Sequence, residues 1–209
     1  AALRVTTESE ESLKERTEAE LLPSAALVAT RWNGGWLAQE ELTAPQAWLS
    51  NSTEARPPVV TGDTDCRYKP HGALWTSSFL SDGSTGWDPM IESGYLGLAP
   101  YRHRWALFFE PSTVRAYRID GPASYAALCE RYPCRATDRT VLVDWVSAAR
   151  DLDAVHLTPR GLLLAQAVTV PSRHGVCRLE AWDAECTAWF RLPPSYRLDD
   201  RTSSEGTRP

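Results

Sequence analysis

Two acidic residues near the end of the chain have the spacing of a catalytic pair. Asp183 and Glu185 lie in the alternating segment LEAWDAECTAWF, residues 179–190. At positions i and i+2 of a strand they are expected to point to the same face. Two carboxylates among aromatic side chains repel each other and are poorly solvated, and both effects raise at least one pKa. A solvated strand face, or an ion pair with an arginine, would explain the same pattern.

A second segment, YKPHGALWTSSF at residues 68–79, runs from a turn into a polar strand. Strand alternation predicts that Trp75 and Ser77 face one way and Thr76 the other. Trp75 offers a flat surface to an aromatic ligand, and the hydroxyl groups offer hydrogen bonds. An ordinary strand with Trp75 in the core and the hydroxyl groups in solvent is the alternative.

Two further residues are weaker candidates. Arg31 ends the predicted buried strand AALVATRW, residues 25–32, just before a turn at Asn33-Gly34-Gly35. A guanidinium group binds phosphate or carboxylate through two parallel hydrogen bonds, although a surface arginine covering a neighbouring side chain fits equally well. His156 lies inside the apolar segment DAVHLT, where a histidine is more often a hydrogen-bonded core residue than a catalyst.

Composition limits the classes of function. The 209 residues carry a formal net charge of −5, which gives no general attraction to nucleic acid or to an acidic membrane surface. Five cysteines form no C-x-x-C pair and no zinc pattern. We therefore predict a reduced, cytoplasmic protein without a metal or a membrane span, in which one disulfide between Cys129 and Cys134 is possible but not required.

The element pattern predicts an α+β fold with a helical arm. Helices are expected at residues 7–22, at residues 36–49 with an interruption at Pro45, and in the segments GPASYAALCERY and DWVSAARDL. Short strands make up most of the remainder, with RWALFFE and VRAYRID predicted to pair as a hairpin. LLLAQAV fits a strand or a helix. The predicted organisation is a helical arm at 1–24, one domain at 25–198 and a disordered tail at 199–209.

In order, these motifs resemble those of the ADP-ribosyltransferase superfamily. That family has an early strand with Arg or His, a second strand with a Ser-Thr-Ser-like run, and a late strand with a catalytic Glu. The corresponding features here are Arg31, HGALWTSS and the DAE of Asp183 to Glu185. WTSS departs from Ser-Thr-Ser, and Asp183 stands where the family has Glu or Gln. Residues 68–190 also resemble uncharacterised actinobacterial and phage proteins that share a KP-x-G-LW-(T/V)-S segment.

The resemblance implies a core of two small, mostly antiparallel sheets with inserted helices, and NAD as the substrate. Glu185 would stabilise an oxocarbenium-like transition state as the nicotinamide–ribose bond breaks, and Asp183 would orient or deprotonate the acceptor. The cofactor-binding residues would be Trp75 on nicotinamide, Thr76 and Ser77 on the ribose or on Glu185, and Arg31 or Lys69 on the pyrophosphate. The acceptor would be a protein, a nucleic acid or a small molecule.

Two other classes of function stay open at this point. A non-catalytic binding module on the same scaffold would have Glu185 neutralised by an arginine and no open cleft beside Trp75. A metal-independent nuclease using His156 is disfavoured by the net charge of −5, because phosphate contacts usually need a basic surface.

Overall fold

The computed structural model describes residues 41–54, 56–61, 68–94, 101–137 and 139–202. The predicted helix at 7–22 and the predicted strand at 25–32 lie outside these residues, and so does Arg31. All statements below concern the described part of the chain.

A seven-stranded sheet forms the centre of the fold, and its strands follow the order β11-β3-β1-β2-β10-β7-β4. Five of its six neighbouring pairs are antiparallel, and only β4 and β7 run parallel. Two small antiparallel sheets, β5-β6 and β8-β9, accompany it. The α+β character and the largely antiparallel pairing predicted from the sequence are confirmed, whereas the expected core of two small sheets is wrong, because seven strands join into one sheet. The strands are β1 Gln46–Ser50, β2 Leu74–Ser78, β3 His103–Phe108, β4 Ala116–Ile119, β5 Pro133–Arg135, β6 Val141–Val143, β7 Ala154–Leu157, β8 Thr169–Ser172, β9 Gly175–Arg178, β10 Cys186–Trp189 and β11 Arg197–Asp200.

Four α-helices lie between the strands of the described chain. Two of them begin at side-chain caps: the Asp144 carboxylate accepts from the Ser147 N–H, and the Thr158 hydroxyl accepts from the Gly161 N–H. LLLAQAV, which fitted either element, contributes to the last helix. The helices are α1 Asp88–Glu92, α2 Pro122–Arg131, α3 Trp145–Asp151 and α4 Pro159–Ala165, and a 3₁₀ turn covers Pro111–Thr113.

The first central strand was wrongly predicted as helix. Residues 46–49 fall within the segment expected to be helical, yet together with Ser50 they form β1, which pairs with β3 over its full length and with β2 at Gln46 and Ala47. Four of its five residues are buried. Burial between two neighbouring strands therefore decides the conformation, since local propensity is a weak preference that tertiary pairing overrides.

The predicted hairpin between RWALFFE and VRAYRID is also wrong. Both segments are strands, but β3 pairs with β1 and β11, whereas β4 pairs in parallel with β7 at the opposite edge of the sheet. The 3₁₀ turn at Pro111–Thr113 leads the chain away from β3. Arg115 then fixes the start of β4, because its N–H and guanidinium both donate to the Asp153 carboxylate.

Two hydrophobic clusters hold the sheet. The larger contains α2 and α3 residues such as Leu128 and Trp145 together with Trp182, and Trp75 packs against it. The smaller contains Leu74, Leu107, Phe109, Ala154 and Trp189. Alternate residues of β2 and β10 thus enter different clusters, which is the period-two pattern of a strand.

Three observations bear on the remaining sequence predictions. Cys129, Cys177 and Cys186 are free thiols, whereas Cys134 is disulfide-bonded, so the bond is not the Cys129–Cys134 pair considered above and the protein is not fully reduced. Asp199 and Asp200, assigned to a disordered tail, belong to β11 and pair with β3. No helix among the described residues is long and apolar enough to cross a membrane.

Candidate functional site

Glu185 is the centre of a hydrogen-bonded network between β2 and the start of β10. Ser77 Oγ donates to Glu185 Oε2 at 2.7 Å, and Ser78 Oγ donates to Oε1 at 2.9 Å. The Ser78 backbone N–H adds a bond to Oε2 at 3.1 Å. All three residues are buried, and Glu185 has no exposed surface. The two serines of WTSS therefore fix the carboxylate in one orientation.

Within the described part of the chain, Glu185 forms no ion pair with a lysine or arginine. The nearest basic group to its carboxylate among these residues is His156, whose Nδ1 lies 3.8 Å from Oε1. Burial raises the pKa of Glu185, and the hydrogen bonds from Ser77 and Ser78 partly oppose that rise. A buried carboxylate with a raised pKa and hydrogen-bond donors is typical of functional sites.

His156 extends the network onto β7. Its Nδ1 lies 2.9 Å from Thr187 Oγ1, the residue directly opposite on β10. Burial, and secondarily the charge of Arg118, lower the pKa of His156 to about 4, so the ring is neutral near pH 7. Its Nε2 is buried without a hydrogen-bond partner. The expectation of a core histidine is met by its burial and its bond to Thr187, and its position beside Glu185 was not predicted.

Thr76 belongs to a neighbouring set of buried polar groups. Its hydroxyl donates to Gln46 Oε1 on β1 and accepts from Trp189 Nε1 at 2.8 Å. Gln46 Nε2 is buried without a partner. Thr76 makes no described contact with Glu185, so its hydroxyl orders β1, β2 and β10 and does not bind the carboxylate.

An open cavity of about 720 Å³ lies beside this network. Its walls include Trp48 of β1, Trp75 of β2 and Trp87 at the start of α1, with Met90 and Ile91. The charged side chains at its lining are Glu54, Arg56, Lys69 and Asp183. The volume and the mixture of aromatic and charged groups suit a small-molecule ligand.

Lys69 and Asp183 form an ion pair at the cavity wall. Lys69 Nζ lies 3.1 Å from Asp183 Oδ2 and 5.8 Å from the centre of the Trp75 ring. The two charged side chains are 39% and 31% exposed. Gly72 lies just before β2 and approaches the Val59 backbone closely. With a φ of 81°, a Cβ at this position would lie 2.0 Å from the Val59 carbonyl oxygen, so only glycine fits here.

Helix α1 forms the opposite wall of the cavity without burying any of its residues. Arg104 of β3 holds it through two hydrogen bonds to the Asp88 carboxylate, which also accepts from the Thr85 N–H. A second cavity of about 470 Å³ is also lined by α1 and shares Met90 and Asp183 with the first. Residues of α1 and Asp183 therefore line both cavities.

The structure separates the two acids that the sequence placed on one face. Asp183 lines the cavity, whereas Glu185 does not, although its neighbours Ala184 and Cys186 do. Strand β10 begins only at Cys186, and residues 181–185 form no regular strand, so the alternation expected for Asp183 and Glu185 does not apply. Trp75 likewise lines the cavity and makes no described contact with Glu185.

The structure thus places Ser77 in contact with Glu185. It also places Lys69 beside both Asp183 and Trp75. The sequence did not indicate Gln46 and Trp48, because their segment was predicted as helix, and it did not indicate Trp87. QAWLS, residues 46–50, has no polar–apolar alternation that would indicate a strand. No local signal indicates that Trp87 reaches the cavity.

No group of three or more His, Cys, Asp or Glu side chains in the described ranges is arranged to hold a metal ion. No family model, no curated protein and no solved structure matches the chain. Any functional assignment must therefore be argued from the geometry of the network and of the cavity.

Proposed function

We propose that the protein is an NAD-consuming enzyme, a mono-ADP-ribosyltransferase or an NAD glycohydrolase, with Glu185 as its catalytic carboxylate. The observation that carries the proposal is the set of three hydrogen bonds from Ser77 and Ser78 to Glu185 across β2 and β10. The proposal includes an ADP-ribosyltransferase-like core for the fold. The adjacency of β1, β2 and β10 supports it, since the polar run and the late glutamate meet on neighbouring strands.

The chemistry follows from the charge that develops on the substrate. The bond between the ribose and the nicotinamide breaks, nicotinamide leaves neutral with the bonding electron pair, and the ribose becomes oxocarbenium-like. The Glu185 carboxylate would stabilise this positive charge and hold a ribose hydroxyl. Water or an acceptor then bonds to the ribose carbon and releases its proton, for which Asp183 is the candidate base. The acceptor class stays open between protein, nucleic acid and small molecule.

The proposal makes one structural demand. Glu185 has no exposed surface and lies outside the cavity, so the substrate-bound enzyme must open a path to the carboxylate. Ala184 and Cys186, which line the cavity on either side of Glu185 in sequence, form the wall through which that path would lead. A cytoplasmic location remains a prediction, and the disulfide-bonded Cys134 argues against it, because such bonds are typical of oxidising compartments.

The test is release of nicotinamide from NAD by the purified chain and by Glu185→Gln. The glutamine keeps the shape and can accept the Ser78 N–H, but it lacks the charge. We expect a loss of at least about 100-fold in turnover, the usual effect of removing one electrostatic group that stabilises a transition state. Glu130→Gln is the matched control, since Glu130 is paired with Arg173 and does not line the cavity. Full turnover by Glu185→Gln, or no turnover by the wild type, would exclude catalysis by Glu185.

A binding module without catalysis is the second candidate, and the complete burial of Glu185 favours it. In that case the aromatic cavity is the functional surface and Glu185 only fastens β10 to β2. The expected result would be a ligand whose binding depends on Trp75 and is indifferent to Glu185→Gln, with no release of nicotinamide. The absence of an arginine partner for Glu185 among the described residues and the open cavity beside Trp75 are the observations against a purely structural version of this candidate.

A further inference from the structure

The cavity holds a positive charge of the protein against its aromatic wall. Lys69 Nζ lies 5.8 Å from the centre of the Trp75 ring, within reach of a cation–π attraction. A cationic ligand would have to displace Lys69 from both Trp75 and Asp183. The position that a ligand cation would take on this wall is therefore already occupied.

The partner of Lys69 is easy to exchange. Its ion pair with Asp183 is partly exposed to solvent on both sides, and pairs of this kind contribute little to stability. Lysine has a long flexible stem and three donors that can turn toward a new acceptor. An anionic group entering the cavity would thus compete with the Asp183 carboxylate for Lys69.

The remaining wall suits a flat ring. Trp48, Trp75 and Trp87 come from three different elements and are each partly exposed toward the cavity, with Met90 beside them. Indole rings bind other aromatic rings in stacked or edge-to-face geometry. The volume of about 720 Å³ exceeds what a single ring with a short charged substituent needs.

We propose that the cavity binds an aromatic molecule carrying a carboxylate or phosphate, whose anionic group replaces Asp183 as the partner of Lys69 while its ring lies against the tryptophans. This inference gives the ligand chemistry of the second candidate function and does not depend on catalysis by Glu185. It assigns Asp183 the role of a competing counter-ion that holds Lys69 when the cavity is empty.

The experiment is calorimetric titration with three aromatic anions and their neutral counterparts. The pairs are salicylate and salicylamide, indole-3-acetate and indole-3-acetamide, and adenosine monophosphate and adenosine. We expect at least one anion to bind more tightly than its neutral counterpart. For that anion, Lys69→Met weakens binding and Asp183→Asn strengthens it, each by about three- to fivefold, because the first removes the partner and the second removes the competitor.

The opposite signs of the two substitutions make the test specific. Arg173→Met and Glu130→Gln provide the matched control. They remove the same two charges from an ion pair whose atoms are 3.1 Å apart and whose residues do not line the cavity. Trp75→Ala should weaken the anion and its neutral counterpart alike. Circular dichroism of each variant verifies folding. Equal affinity for anion and neutral counterpart, the same sign for both substitutions, or no binding at millimolar concentration would overturn the proposal. Nicotinamide release is measured on the same preparations, so that a failure of anion binding in the cavity can be told apart from a failure of catalysis by Glu185.

Discussion

The Glu185 network and the aromatic cavity lie side by side on β2 and β10, yet they differ in almost every physical property. The network is fully buried, and each Glu185 oxygen has at least one protein donor. The cavity is open, and its charged pair is more than 30% exposed on both sides. One region is ordered by its own hydrogen bonds, and the other has aromatic and charged groups that a ligand can reach.

Because of this difference, the two regions should tolerate amino-acid substitutions to different extents. Buried polar groups are costly when a partner is removed, because the remaining groups cannot turn to water. Exposed charges lose little, since water replaces the missing partner. Removing a hydrogen-bonding group from the network should therefore lower stability, whereas substitutions in the cavity should act mainly on binding.

The largest effect is expected for Glu185→Ala. It leaves the Ser77 and Ser78 donors unpaired and opens a hole between β2 and β10, whereas Glu185→Gln keeps both the shape and an acceptor. We expect Glu185→Ala to be less stable than Glu185→Gln by about 3 kcal/mol. Chemical denaturation at constant pH measures the difference. Equal stability of the two variants would mean that the hydrogen bonds do not hold the strands together.

The pH dependence of folding should separate the two titratable members of the network. The native state retains a Glu185 proton that the unfolded chain releases above about pH 4.5, so this group makes stability fall as pH rises from there through the raised pKa. Native His156 has a pKa lowered from 6.5 to about 4. Between these pH values the unfolded chain binds a proton that the native ring does not bind, so stability falls as pH falls through this range.

One substitution tests each of these two pH dependences of stability. Relative to wild type, Glu185→Gln should gain stability with rising pH, and His156→Gln should gain stability with falling pH between about 6.5 and 4, by an amount on the order of 2 kcal/mol. Denaturation curves at several pH values provide the measurement. If the wild type and His156→Gln changed in parallel over this range, the ring would not be held neutral by burial.

A smaller effect is expected at the wall of the cavity. Asp88→Asn weakens the paired hydrogen bonds from Arg104 that hold α1, and both side chains are about 15% exposed. We expect a loss of about 1–2 kcal/mol in the free energy of unfolding. Asp199→Asn, in the more exposed pair with Arg197, is the control and should change stability by less than about 0.5 kcal/mol. A loss at Asp88 no larger than at Asp199 would show that α1 is held by packing alone.

The smallest effect belongs to the Lys69–Asp183 pair. Lys69→Met and Asp183→Asn should each change the free energy of unfolding by less than about 0.5 kcal/mol, although both alter ligand affinity. Thermal and chemical denaturation in the absence of ligand test this. A loss comparable to that at Asp88 would mean that the pair supports the fold and is not available for exchange with a ligand anion.

Local pattern predicted the elements better than their partners. The alternation of GALWTSSF, the apolar run of DAVHLT and the capped starts of DWVSAARDL are local features, and β2, β7 and α3 appear where they indicate. The pairing of β4 with β7 and of β11 with β3 joins segments about 40 and 90 residues apart, and no local signal specifies such pairs.

Local sequence patterns were enough to predict an α+β fold, a strand rich in hydroxyl groups at WTSS, and a glutamate after Trp182 near the last strands. These are matters of residue type and periodicity. Three features depend on the tertiary structure. Ser77 and Ser78 bind Glu185, Asp183 forms an ion pair with Lys69, and three tryptophans from separate elements line one cavity. This is because residues 181–185 lie outside β10, so that strand alternation does not apply to Asp183 and Glu185, and because the fold brings together side chains that are more than 100 residues apart.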